Sequence, residues 1–131
     1  MIDMEPEVLQ IVTDAAGNGV EVSGEYPEAP ASFPLVTVLE IENSVYQRTA
    51  SSAGLENHAS IAYEINVFSA KINGKKTECK DIAQRIDAAM LGRGFYRTML
   101  SPIPNYGDKT IYRITARYGA TVDKNKNCWR R

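Results

Sequence analysis

The stretch SIAYEINVFSAKINGKKTECKDIAQRIDAAM, residues 60–90, decides the fold, because two hydrophobic periods meet inside it. Over its first eight residues Ile61, Tyr63, Ile65 and Val67 alternate with Ser60, Ala62, Glu64 and Asn66, the period-two pattern of a half-buried strand. From Cys79 the period lengthens. Cys79, Ile82, Ala83, Ile86, Ala89 and Met90 recur at three- and four-residue intervals, with Lys80, Asp81, Gln84, Arg85 and Asp87 opposite. This spacing predicts an amphipathic helix ending at Gly92-Arg93-Gly94. The join, Asn73-Gly74-Lys75-Lys76-Thr77, has the composition of a phosphate-cradling loop but not its order. A Walker-type loop needs G-x-x-x-x-G-K-[ST], and here Ser69 stands at the first glycine and Lys76 at the hydroxyl. Asn-Gly therefore reads as a left-handed turn, and Thr77 as a cap on the helix start.

Working outward, Pro6 followed by Val8, Leu9, Ile11, Val12, Ala15 and Ala16 predicts a first helix up to the Gly17-Asn18-Gly19 stop. A segment with Pro27, Pro30 and Pro34 then leads to a strand, LVTVLEIENSVYQ, and TASSAGLEN (residues 49–57) reads as a surface loop. After the second helix comes a strand FYRTMLS, then Pro102, Pro104 and a PNYGD turn. In the long last strand Tyr112, Ile114, Ala116, Tyr118, Ala120 and Val122 share one face, and Arg113, Thr115 and Arg117 the other. The expected fold is α+β: two helices packed on one mostly antiparallel or mixed sheet of about four strands, in the order α-β-β-α-β-β. One domain spans residues 1–123, and KNKNCWRR (124–131) is an aperiodic basic tail.

A chain of 131 residues with 44% apolar and 24% charged residues has the composition of one soluble globular domain, and its apolar runs are too short to cross a bilayer. The start, MIDMEPEV, lacks the basic and apolar regions of a signal peptide, so a reducing cytosol and free thiols at Cys79 and Cys128 are expected. Net charge is −1, but the two signs are separated. Residues 1–28 hold seven carboxylates and no Lys or Arg, whereas residues 97–131 are basic. Such polarity reads either as two differently solvated surfaces or as complementary faces for head-to-tail association.

The residues that carry chemistry form no catalytic constellation. His58, the only histidine, has no partner at metal-ligand spacing, two cysteines cannot close a zinc site, and Cys79 falls on the apolar helix face. No metal, cofactor or catalytic residue is expected. Glu40, Glu42 and Glu64 could form paired carboxylates if their strands are neighbours, but read more simply as solvated sheet positions. Arg113 and Arg117, with Arg97 on an adjacent strand, could give a basic sheet face that touches phosphates. The alternating tyrosines point the other way, against a stacking platform.

Five blocks in succession carry a resemblance: FPLVTVLEIENSVY (33–46), ENHASIAYEINVFS (56–69), GKKTECKDIAQRIDAAM (74–90), GFYRTMLSPIPN (94–105) and TIYRITARYGATVD (110–123). In order and spacing, over residues 5–123, they resemble the tail terminator, or tail completion, family of long-tailed bacteriophages and prophages. The resemblance implies a structural virion protein, not an enzyme, made in the host bacterial cytoplasm and located at the head-tail junction. It implies a ring, usually a hexamer, that caps the head-proximal end of the tail tube, stops its polymerisation and offers a surface to the head connector. DNA would pass through the lumen unbound, and no active-site residues come with the family.

Three groups are then expected at interfaces. Arg113 and Arg117, exposed on the last strand, would meet acidic residues of a neighbour, and Arg97, Glu40, Glu42 and Glu64 belong to the same exposed set. The loop 49–57, with Leu55 and Glu56, would contact tube or connector. Trp129, Arg130 and Arg131 would dock on a partner through the one large aromatic. Two rivals are a head-completion or adaptor protein on the connector side and, from another class, a small nucleic-acid-binding or hydrolytic domain.

Overall fold

In a computed structural model, residues 2–25, 33–45, 58–103 and 110–129 are described. Helix α1 (Glu5–Ala16) starts with Pro6 in its first turn and stops at Gly17, whose φ of 85° only glycine adopts freely. It buries Val8, Ile11, Val12 and Ala16, the stripe expected from the sequence. Strand β1 (Glu21–Ser23) then runs parallel to β2 (Leu35–Val45), which forms a hairpin with β3 (His58–Ser69). Helix α2 (Lys75–Gly92) follows, then β4 (Tyr96–Pro102), β5 (Tyr112–Asp123) and the two-residue β6 (Cys128–Trp129). The sheet order is β1-β2-β3-β5-β4, with β6 also paired to β5. All pairings except β1 with β2 are antiparallel.

The α+β class and both helices agree with the sequence reading, but the strand count does not. Two short strands are added, β1 and β6, and both are too short to show a hydrophobic period. The segment 124–131 is also not wholly a tail: Asp123 closes a turn on Asn125 and Asn127, and Cys128–Trp129 pair back onto β5.

Both helices cover one face of the sheet. Ile61, Tyr63, Ile65 and Val67 from β3 and Ile114, Ala116, Tyr118, Ala120 and Val122 from β5 meet Val8 and Val12 of α1 and Cys79, Ile82, Ile86 and Met90 of α2. Gly74 launches α2 with φ 94°, as Asn-Gly predicts. Thr77 is not the cap. It lies inside the first turn, and the helix start has no side-chain cap. At the other end, Phe95 N–H bonds to Met90 O and Gly94 N–H to Leu91 O, the paired reverse bonds of a glycine stop. The C-terminus of α1 is closed from α2 instead: Arg85 donates to Ala15 O and Ala16 O at 3.1 and 2.9 Å.

Candidate interaction surfaces

Among the described residues no helix lies on the outer sheet face, and its rows follow from strand register. One row is Thr37, Asn66 and Thr115; the next is Leu39, Glu64 and Arg117; the next is Glu42, Ala62 and Gly119. Asn66 is the hub of the first row. Its Oδ1 accepts from Arg113 Nε and Nη2 at 3.0 and 2.8 Å and from Thr115 Oγ1 at 2.7 Å, and the Arg113 guanidinium lies 5.4 Å from the centre of the Phe68 ring. Asn66 Nδ2 and Thr37 Oγ1, on adjacent strands, are buried without a hydrogen-bond partner.

These contacts correct the expected interface. Arg113 is half-buried and held by its own sheet, so reversing it to Glu would disturb the fold before it tested a contact. Arg117 is exposed but already paired across the strands with Glu64 at 3.2 Å. Arg97 does not join them. The bulge between Arg97 and Met99 and the pairing of Arg97 with Tyr118 turn it to the helix side, where it meets Asp87 at 3.2 Å. Asp87 also accepts from Tyr118 OH at 2.7 Å, and burial, together with this bond, pushes the phenol pKa up. The three arginines thus make no single basic face.

The carboxylates separate in the same way. Glu40 lies on the helix side, accepting from Asn43 Nδ2 at 2.9 Å, while Glu42 and Glu64 lie on the outer side. No paired-carboxylate arrangement includes all three. Tyr112 and Tyr118 of the last strand pack on the helix side as expected, but an aromatic from β4 stands on the outer face. Tyr96, 59% exposed, pairs with Gly119 on the outer face, where a Cβ on Gly119 would stand 2.8 Å from its ring. Glycine there leaves the space the ring occupies, one row from Arg117. Leu55, Glu56, Arg130 and Arg131 lie outside the described residues, and of Trp129 only the backbone pairing with Thr121 is described.

Charge divides the molecule from side to side, more completely than the chain ends suggested. The described residues of 2–45, which build α1, β1 and β2, carry eight Asp or Glu and no Lys or Arg. Those of 70–129, which build α2, β4, β5 and β6, carry eleven Lys or Arg against four Asp or Glu. Because β1 and β4 are the two outer strands of the path, the acidic and basic segments sit at opposite edges of one sheet. An ion pair joins them: Lys126 Nζ lies 2.9 Å from Glu7 Oε1 and holds the Glu7 carboxyl below its ordinary range.

A cleft of about 520 Å³ lies at the seam between the helices, bounded by Asn18–Val20, Pro34 and the first turns of α2. The loop suspected of cradling phosphate forms part of its rim through Lys71 and Gly74. Its charges are mixed, and most are committed. Arg85 closes α1, Glu78 accepts from Ser69 Oγ at 2.7 Å, and Asp81 adds a second carboxylate, which disfavours an anion. Cys79 behind it is buried, and burial beside Glu78 pushes its thiol up to about 12, so it is not a thiolate nucleophile. Among the described residues, no three of His, Cys, Asp and Glu gather as metal ligands, and no helix is long and apolar enough to cross a membrane.

No protein-family model matches the chain, and no curated protein matches it significantly.

Proposed function

We propose that the chain is a structural subunit that associates head to tail into a closed ring and, as the terminator of a phage tail, caps the head-proximal end of the tail tube. The observation that carries this reading is the side-to-side charge division. A subunit in a closed heterologous ring presents two different surfaces to its two neighbours, and opposite signs at opposite sheet edges make them attractive in that arrangement and repulsive in the reverse. Beyond the buried Thr37–Asn66–Thr115 row, the outer sheet face around Glu42, Arg117 and Tyr96 adds a third exposed surface for tube or connector. In this reading the partners are further copies of the chain, the tube protein and the head connector, and the protein resides in the virion.

Negative-stain microscopy of the purified protein, alone and added to polymerising tube protein of the same phage, tests the reading. Rings and tubes capped at one end are expected. Tubes that grow without limit at equal protein concentration would exclude a terminator. A nucleic-acid-binding reading draws on Tyr96 and Arg117 sharing the outer face, but Glu64 neutralises Arg117 and Glu42 stands in Tyr96's row. Filter binding of single-stranded DNA at low salt, with Tyr96→Ala as control, distinguishes that reading.

A further inference from the structure

Each lateral edge of the sheet carries exposed aliphatic side chains set among charges mainly of one sign. On the acidic side, β1 pairs with β2 only from Leu35 to Thr37, so the edge of β2 beyond Thr37 has no strand beside it among the described residues. In that stretch the register shifts between Glu40 and Glu42, and the extra residue, Ile41, is 46% exposed between the two carboxylates. On the basic side β4 is the outermost strand, and Leu100, paired with Ala116 on the helix side, is 37% exposed. Leu91 of α2 is 43% exposed. Helical periodicity places Lys76, Lys80, Asp87 and Leu91 along one flank of α2, and the Asp87–Arg97 pair shows that this flank faces β4. Because α2 turns back into β4 at Gly94, Leu91 lies toward the turn from that pair and Leu100 on its other side.

We propose that the β2 edge around Ile41 of one copy docks against the α2–β4 flank of a second copy, Ile41 meeting Leu100 while Glu42 faces Lys76 and Lys80. The contact deepens the ring reading above and rests on it. Charge selects the pairing: two β2 edges would oppose carboxylates, two α2–β4 flanks would oppose cations, and only the crossed contact joins opposite signs. The bulges at Ile41 and Thr98, and Pro102 at the end of β4, interrupt the regular ladder on both edges. The copies therefore meet through side chains rather than by extending one sheet. An exposed apolar group inside a charged rim is the composition such a contact needs, with apolar burial at its centre and charge setting the register.

Glu42→Lys and Lys80→Glu, singly and combined, test the contact by sedimentation velocity at protein concentrations where the unaltered chain self-associates. Circular dichroism controls for folding. Each single reversal is expected to weaken association about tenfold or more, and the double variant to recover most of the loss, because the pair is restored with its signs exchanged. A second experiment introduces Ile41→Cys and Leu100→Cys in a chain whose Cys79 and Cys128 are Ala. The double-cysteine chain should oxidise to a ladder of covalent multimers, either single-cysteine chain should stay uncoupled, and a mixture of the two single variants should give dimers. Assemblies that persist unchanged in the charge variants, with no ladder, would overturn this contact and leave the ring reading standing on another surface. A chain that stays monomeric at every concentration and carries no ladder would overturn both.

Discussion

On the acidic side of the molecule several carboxylates bond within a few residues, Asp3 accepting from the Glu5 N–H at the start of α1, Glu40 from Asn43 on its own strand and Glu42 from Ser44, whereas Glu7 reaches Lys126. On the basic side the arginines reach across elements. Arg85 ties α2 to α1, Arg97 ties β4 to α2, and Arg113 and Arg117 tie β5 to β3. The lysines Lys76 and Lys80 are left exposed. The difference separates two uses of positive charge: the planar, multi-donor guanidinium groups of these four arginines bond inside the fold, while Lys76 and Lys80 keep flexible ammonium groups on the surface. An interface built on Arg113 or Arg117 would first have to compete with these bonds.

The two sides should nevertheless unfold as one unit, since a single core joins them. Ile65→Ala, at 1% exposure in the central strand, should lower unfolding stability by about 2–5 kcal/mol and keep one transition in denaturant. Two separated transitions would break the comparison by making the sides independent. Arg85→Met removes the side chain that closes α1 and should cost about 1–2 kcal/mol, read as a lower urea midpoint at unchanged m-value. Tyr118→Phe loses the bond to Asp87 while Arg97 still neutralises that carboxylate, so about 1 kcal/mol is expected.

Smaller effects probe the ion pairs. Glu7 is held below its ordinary value of 4.5, first by the Lys126 bond, so its contribution is complete above about pH 4.5 and is lost as pH falls through the lowered value. Lys126→Met should remove that part of the acid sensitivity, visible as a flatter stability curve below about pH 4.5 in denaturant titrations. Disrupting the exposed Arg117–Glu64 pair by Arg117→Gln should change stability by under about 1 kcal/mol, and by less still in about 1 M salt. A larger loss would place Arg117 in the core of the fold rather than on its rim.

Much of this was legible in the chain because hydrophobic periods report faces directly. The helix-facing stripe of β3 and that of α2 contain the residues read from the sequence, except that Ala89 is only partly buried. What the period missed is that the end of β3 is buried on both faces, Asn66, Phe68 and Ser69 included. The glycine-bounded turns at Gly17, Gly74 and Gly94 were equally readable, since only glycine adopts their positive φ without strain. Strands β1 and β6 were not, because three or two residues hold no period and exist only by pairing with longer neighbours. Nor could Arg97 be assigned a face. A bulge reverses the alternation of β4, and a bulge leaves no mark in composition.

By itself, then, the sequence determined the α+β class, the core stripes and the separation of charge along the chain, since each is a local property of residue type and spacing. Tertiary structure alone decided that the acidic and basic segments lie at opposite edges of one sheet, because that depends on β3 and β5 pairing at its centre. It also decided which cations are already taken. Arg113 and Arg117 read as free in one dimension, and become bound only when Asn66 and Glu64 arrive across the strand from about fifty residues away.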